Sequence, residues 1–557
     1  MRTVSELRES VNQRCTSVQE NLKSKTTVEG WVLPRQHGSF ADEGSWSNVD
    51  MDVTPKERRV WGSWIMLGYW FSDAVQANAW QSPAAVLAMG LTWREALIAV
   101  IFGPLTNAVP LVLNGMIGAR LFVPFPVIAR ASFGWYFYRV AVGTRVAAAL
   151  FWHGYQTYTG TTALTQVIRC IWPSYLDIPN HIPESVGITT QGMLSFFLFW
   201  VIQFPFMLAT PHKLKWLFVL KGVMVVVTSI AAVIYMTSLA GGAGDMWNLP
   251  YEVHGSERSW MVMSAISSTT GGWATLSVNI PDFTRYLKNE RAVWWQIAFL
   301  PGVKLWLGLI AIICTSADIW DPVKLSSKWT TPGGTALCFF FNLSWVIAQI
   351  MANLSTNVIT AANDICCIWP KWVNIRRGAL LTTIVACWAL QPWQVVKHAT
   401  SILTFMSGVG IFLAPMAAII GADYWVVHRQ RYDVPDLYKA RGRYRHGVLG
   451  TNWRAVVAIV VSLGPSMPGF AASLDTSLKP YIGNVIYVYY MYYFYGFTSA
   501  FGVYSGLSYL FPARETYVPH LITGEELLTP TEGVGMEVDT EMNGTSKVYS
   551  EEASKSS

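Results

Sequence analysis

Two pairs of residues, each spaced by four, carry most of the chemistry in this sequence: Trp152 with Gln156 in FWHGYQTYTG, and Asn353 with Asn357 in ANLSTNVITAAND. A spacing of four puts both members of a pair on one helix face. Each amide offers one carbonyl acceptor and two N–H donors. That matches a neighbouring N–H and C=O, as on the edge of uracil, hydantoin or allantoin. Trp152 adds a flat π-face, and a second indole, Trp273, follows Gly271-Gly272. A planar heterocycle between two indoles gains about 1–3 kcal/mol of stacking per face, by analogy with base–aromatic stacking. Nothing in the group carries fixed positive charge, so a carboxylate ligand fits less well.

The elements that hold these residues are apolar. The chain has 557 residues, 52% hydrophobic and 13% charged, with a net charge of +6 and a mean hydropathy of +0.32. Runs of about 18 or more apolar residues recur along most of it, which excludes an ordinary soluble protein and indicates a polytopic, all-α membrane protein. About twelve spans are expected, near residues 62–90, 95–118, 141–168, 192–210, 216–240, 260–281, 295–316, 335–362, 377–393, 399–426, 453–473 and 481–511. They occupy a domain at 58–515. Residues 1–57 are polar, show no cleavable signal pattern, and read as an N-terminal tail. Residues 516–557 read as a C-terminal tail, acidic, Ser/Thr-rich and disordered from Ile522 onward.

Two spans are interrupted near their middles. The sixth holds SSTTGGWATLSVNIPDFTRY, with Ser267 to Thr270, the Gly271-Gly272 pair and then Pro281. The first holds FSDAVQANAWQSPAAVLAMG, with Asp73, Gln76, Asn78 and Gln81 followed by Pro83. Broken backbone at that depth is tolerated only where its freed groups face protein or a water-filled cavity. Interruptions in corresponding positions point to an inverted repeat, here of five plus five spans with the last two appended. The third and eighth spans then also correspond, and they carry the two amide pairs.

Arg and Lys gather after the second, fourth, sixth, eighth and tenth spans, Arg429 to Arg445 most densely. By the positive-inside rule both termini are cytoplasmic. Of the seven Cys, six lie in or beside apolar runs without zinc-site spacing. No metal cluster, nucleophile triad or phosphate-binding Gly loop stands out, so an enzyme lacks candidate chemistry, and neither a cofactor nor a nucleic-acid partner is expected. Asp73, Lys221, Lys304 and Asp423 are ionisable groups in or near spans and so functional candidates. Lys221 and Lys304 have snorkelling toward an interface as the alternative. Asp282 and Arg285 are read either as an inner-gate ion pair or as flanks of the sixth span, and Arg120 with Pro124-Phe125-Pro126 as a gating or packed turn.

The strings SDAVQANAWQ, LNGMIGARLFVPFPVIARASFG, FWHGYQ, GGWATLSVNIPDFTRY, ANLSTNVITAAND and IWPKWVNIRRG, in that order over about residues 60–510, resemble the first nucleobase–cation symporter family in its fungal Fur-type branch of uracil and allantoin permeases. The resemblance implies a LeuT-like inverted-repeat fold and a substrate site between helices one, three, six and eight. On its motifs Trp152 and Gln156 resemble the stacking indole and binding amide. Gly272 and Trp273 resemble the helix-six pair, Asn357 the helix-eight amide, with Asn353 beside it, and Gln81 the helix-one glutamine. It departs from the pattern at Gly160-Thr161, where a Gly-Gly pair is usual, and at His153, often an aromatic position.

The resemblance further implies a secondary active symporter of the plasma membrane that imports uracil, allantoin or a related ring by alternating access. Alternatives are a thiamine or nucleoside (uridine, nicotinamide riboside) permease of the same family, and a transport-inactive sensor on the same fold. Members that use sodium hold it between helices one and eight with carbonyls and adjacent Ser and Thr hydroxyls. Aligned on Asn357, those hydroxyl positions are Met351 and Ala352, poor ligands for a hard cation. A proton, rather than sodium, is therefore the expected coupling ion, with Asp73 and then His153 as its candidate carriers. Lys547 and Lys555 in the C-terminal tail are candidate sites for ubiquitylation and endocytosis, by likeness to fungal permeases of this kind.

Overall fold

Helices make up the regular structure of the described residues, with two isolated bridges, Trp61 to Leu287 and Asp433 to Ile522, as the β pairings there. The computed structural model describes residues 26–35, 40–42, 45–87, 89–209, 214–242, 247, 252–314, 321–395 and 399–524. Lys547, Lys555 and the rest of 525–557 lie outside them.

Where described, each expected span is built mainly of helix. The first is two helices, α1 (Ser63–Ala74) and α2 (Ala77–Leu87), parted at Val75-Gln76. α3 (Trp93–Leu121) begins at a capping box in which Thr92 and Glu95 satisfy each other's backbone groups. The short α4 (Phe125–Phe133) precedes the 34-residue α5 (Tyr138–Ile171). Then come α6 (Thr190–Met207) and α7 (Lys215–Ala240). The sixth span is broken into α8 (Gly255–Gly271) and α9 (Ala274–Asn279), parted at Gly272-Trp273 and continued by α10 (Pro281–Thr284). α11 (Gln296–Cys314) follows. The eighth span is α12 (Pro332–Ala352) and α13 (Ile359–Ile368), joined by a π-helical stretch at Asn353–Val358. α14 (Ile375–Ile384), α15 (Ala399–Ala422), α16 (Trp453–Leu463) and α17 (Tyr492–Leu510) complete the bundle.

Seven helical segments among the described residues are long and apolar enough to cross a bilayer. Broken spans fall short of that measure piece by piece, since α1 and α2 have 12 and 11 residues and a crossing needs about 20. The outer surface fits a lipid solvent. On α7, Val219, Val223, Val227, Ile230 and Ile234 are exposed, while Lys221, Val225, Ser229 and Ala232 are buried. A helix that is apolar on its exposed face and carries its lysine inward is inside out for water and suited to hydrocarbon.

Segments beside the bundle fold onto it where described. Met51 and Val53 are buried, Thr54 N donates to Phe122 O at 2.8 Å and Trp61 N to Tyr286 O at 2.9 Å. At the other end Ile522 N donates to Tyr432 O at 2.9 Å.

Candidate substrate site

The site is built where the two broken helices meet α5 and the π-helical stretch. Backbone groups freed at a break need partners, and side chains from neighbouring helices supply them. Ser72 O, just before the first break, accepts from Lys221 Nζ of α7. At the second, Trp273 O accepts from Leu276 N at 3.0 Å and Ser277 N at 3.3 Å of α9 and, in addition, from Asn107 Nδ2 of α3 at 3.1 Å. Gly271 lies against α15, so that a Cβ on Gly410 would come within 2.8 Å of Gly271 Cα. A Cβ on Gly272 would meet Met406 Cε at 2.5 Å. The paired glycines thus let Met406 of α15 enter the break.

α5 contributes Trp152, His153 and Gln156. Trp152 is 6% exposed and packs edge-on against Tyr155 (centroids 5.5 Å, 88°) and Phe405 (5.0 Å, 69°), with Ile402 and Met406 alongside. Gln156 Nε2 donates to Gln76 Oε1, at the first break, and Gln156 Oε1 is buried without a partner. Asn357 Nδ2 donates to Asn353 Oδ1 at 3.0 Å. Asn353 Nδ2 donates to Thr157 Oγ1 and Gln203 Oε1, both at 3.2 Å. These two asparagines sit in the π-helical stretch, whose wider turn re-aims side chains and which is frequent at functional sites.

Other expected members stand apart. Gln81 accepts from Tyr155 Oη and its Nε2 donates to Asp321 Oδ1 at 3.4 Å, so the helix-one glutamine that meets Gln156 is Gln76. Trp273 belongs to a different apolar cluster from Trp152, with Trp70 at 5.8 Å and Lys304 Nζ 4.3 Å from its ring centroid. His153 is fully buried and faces Asn353, with neither ring nitrogen in a well-formed hydrogen bond.

Asp73 is 2% exposed and faces the amines of Lys221 and Lys304 and the hydroxyl of Thr356. Both lysines turn inward and neither snorkels: Lys221 is 0% and Lys304 5% exposed. Met351 and Ala352 are buried, and the Ser355 and Thr356 hydroxyls donate back to their carbonyls at 3.0 and 2.8 Å.

Farther along the bundle Arg145 of α5 pairs with Asp364 of α13, both 0% exposed. Asp282 and Arg285 take separate partners. Asp282 Oδ1 accepts from Phe125 N at 2.8 Å, and Arg285 donates to Asp50 O at 2.8 Å and to Tyr286 Oη at 2.7 Å. Arg120 pairs with Glu290 at 2.6 Å on the surface. Among the described residues no group of three metal-ligating side chains forms.

Gln76, Tyr155, Gln203 and Met406 join the constellation only through the fold. The one sequence signal for any of them was Gln76, as a polar residue within the first span.

Residues 53–496 match a family described as permeases for cytosine/purines, uracil, thiamine and allantoin. The chain is 30% identical to the allantoin permease of Saccharomyces cerevisiae over 494 residues, 86% of this chain and 78% of the relative. It is also 30% identical to the uracil permease of the same yeast, with 85% and 78% covered. Among solved structures it superposes on Mhp1, a nucleobase-cation-symport-1 family transporter solved closed with bromovinylhydantoin bound. That match has a TM-score of 0.65 at 20% identity, covering 84% of this chain and 97% of the other.

Proposed function

We propose a cargo and a coupling ion on one premise: the chain belongs to the family of permeases for cytosine/purines, uracil, thiamine and allantoin, and is an integral membrane transporter with that family's LeuT-like helical fold. The cargo is a small planar nucleobase or ureide, of the uracil or allantoin kind, imported across the plasma membrane by alternating access. The observation that carries this reading is a pair of amide oxygens without protein partners. Gln156 Oε1 is buried and unpaired, and Asn357 Oδ1 is left over once Asn357 Nδ2 has gone to Asn353. With Trp152 on the same helix face as Gln156, these groups suit the edge and face of a ring that carries N–H groups. Gly272, Trp273 and Gln81 then shape the surrounding break rather than touch the ring edge.

Proton coupling draws support from the first break. A sodium ion held by helices one and eight needs several oxygen ligands, whereas here the Ser72 carbonyl is already taken by the Lys221 amine. Asp73 beside it is a carboxylate whose charge two lysines balance. One carboxylate among two amines is a set that can gain and lose a proton without a metal cage. His153 is the second candidate carrier.

Thiamine, a cation, is the weaker cargo: the two breaks that frame the site already hold buried amines, Lys221 beside Ser72 and Lys304 beside Trp273. Basic loops support cytoplasmic placement of both termini, and the relatives' permease activity supports a transporter rather than an enzyme. The test is uptake of labelled uracil and allantoin into cells that lack such carriers. Uptake of either, reduced by the other or by hydantoin, is expected. Absence of both from cells that display the protein at the surface would leave the sensor reading in its place.

A further inference from the structure

Behind Asn357 runs a chain of fully buried polar side chains that ends on a backbone carbonyl. Thr157, Gln203 and Asn353 are each 0% exposed. They come from α5, α6 and the π-helical stretch at Asn353–Val358, and α5 lies so close to a second π-helical stretch, Val385–Ala389, that a Cβ on Gly154 would stand 2.7 Å from Ala386 O. At the anchored end, Thr157 Oγ1 gives its single hydrogen to His153 O at 2.8 Å, the nearer of its two acceptors, Gln203 Oε1 standing at 3.4 Å. Cys387 Sγ donates to the hydroxyl at 3.5 Å. The hydroxyl can then only accept from its other neighbours. Gln203 Nε2 donates to it at 3.0 Å, which turns Gln203 Oε1 toward Asn353. Asn353 Nδ2 donates to Gln203 Oε1 and to Thr157 Oγ1, both at 3.2 Å, which turns Asn353 Oδ1 toward Asn357. Asn357 Nδ2 must therefore donate, at 3.0 Å, and Asn357 Oδ1 is the end left over. Reversing any one amide would set oxygen against oxygen in a dry interior, where a lost hydrogen bond is costly.

We infer that Thr157, Gln203 and Asn353 are positioning residues that hold Asn357 in one orientation, carbonyl oxygen outward, so that the site selects rings presenting an N–H to it over rings presenting a bare nitrogen acceptor. The inference rests on Asn357 being a substrate contact. It then narrows the cargo to cyclic imides and ureides. Gln156 acts in the same sense, since Gln76 Oε1 accepts an N–H of its amide and Gln156 Oε1 is left without a protein partner.

The test uses the full chain and a pair of rings of the same shape, uracil with N–H at the ring nitrogen and cytosine with an acceptor there. Each competes with the labelled substrate that the wild type carries. For an allantoin carrier that ignores both, hydantoin and its two N-methyl derivatives give the equivalent pair. Wild type is expected to favour the N–H ring by tenfold or more. Thr157→Val keeps the volume but removes the anchoring hydroxyl, and should lower that ratio at least threefold; Thr157→Ser should restore it. Gln203→Met provides a second break in the relay, should Thr157→Val fail to reach the membrane. A uniform loss of affinity for both rings, with the ratio unchanged, would mean that the relay is scaffolding only and would overturn the inference. A wild type that carries no such ring overturns the substrate reading, and the ligand class inferred here with it.

Discussion

Lys221 Nζ donates to the carbonyl oxygen of Ser72, so an amine from α7 caps the first helix break one residue before Asp73. Lys221 is wholly buried. Lys221 and Lys304 together face Asp73, and removing one partner from a buried set of charges costs up to about 3–5 kcal/mol. Lys221→Met should therefore lose most of its surface protein, whereas Lys221→Met combined with Asp73→Asn should recover much of it. Surface biotinylation decides this, and a double variant no better than Lys221→Met alone would argue against the pairing.

In the fraction that reaches the surface, with uptake normalised to surface protein, Asp73→Asn is expected to separate transport from its driving force. Wild-type uptake should rise as external pH falls, collapse with a protonophore, and be indifferent to replacing sodium by choline. The Asn variant should exchange substrate across the membrane yet no longer concentrate it. Sodium-dependent accumulation in the wild type would point to an oxygen cage elsewhere.

Two neighbouring glycines should behave differently. A Cβ at position 271 runs into the backbone carbonyl of Met406 and the Tyr492 hydroxyl, whereas at 272 it meets the end of the flexible Met406 side chain. Gly271→Ala should fail to assemble. Gly272→Ala should assemble with near wild-type thermal stability but lower uptake, because Met406 must move into the space beside Trp152. Size-exclusion profiles after heating in detergent measure both, and equal stability of the two variants would show that α8 and α15 are not closely packed there.

The Arg145–Asp364 pair offers a cycle. Arg145→Leu and Asp364→Leu should each destabilise by about 3–5 kcal/mol, and the double leucine variant by far less. A double variant destabilised by the sum of the two singles would mean that the two residues act independently.

How far the sequence discloses this architecture varies with the reach of each contact. Gly271-Gly272 advertises its break, because paired glycine inside an apolar run has few other uses. The first break, at Val75-Gln76, is marked only by polar residues, so its location was legible but not which glutamine would face Gln156. Gln76 and Gln81 both lie within the first span, and which one meets α5 depends on the helical phase after the break. Lys221 is ambiguous for a related reason. A lysine in an apolar helix can reach for the interface or for a carbonyl on another helix, and the Ser72 carbonyl lies 149 residues away in sequence. The relay from Thr157 through Gln203 joins three helical segments, and no local pattern encodes it. The π-helical stretch at Asn353–Val358 shows no Gly or Pro and so gave no warning.

Loss of the two site amides tests the central claim most directly. Initial-rate uptake of labelled uracil or allantoin, normalised to surface protein, should be measured for wild type, Gln156→Ala and Asn357→Ala. Each truncation removes a substrate partner worth about 1–3 kcal/mol, so the apparent KM should rise roughly 5- to 150-fold while surface levels hold. Unchanged KM in both variants would contradict the assignment of Gln156 and Asn357 to the substrate.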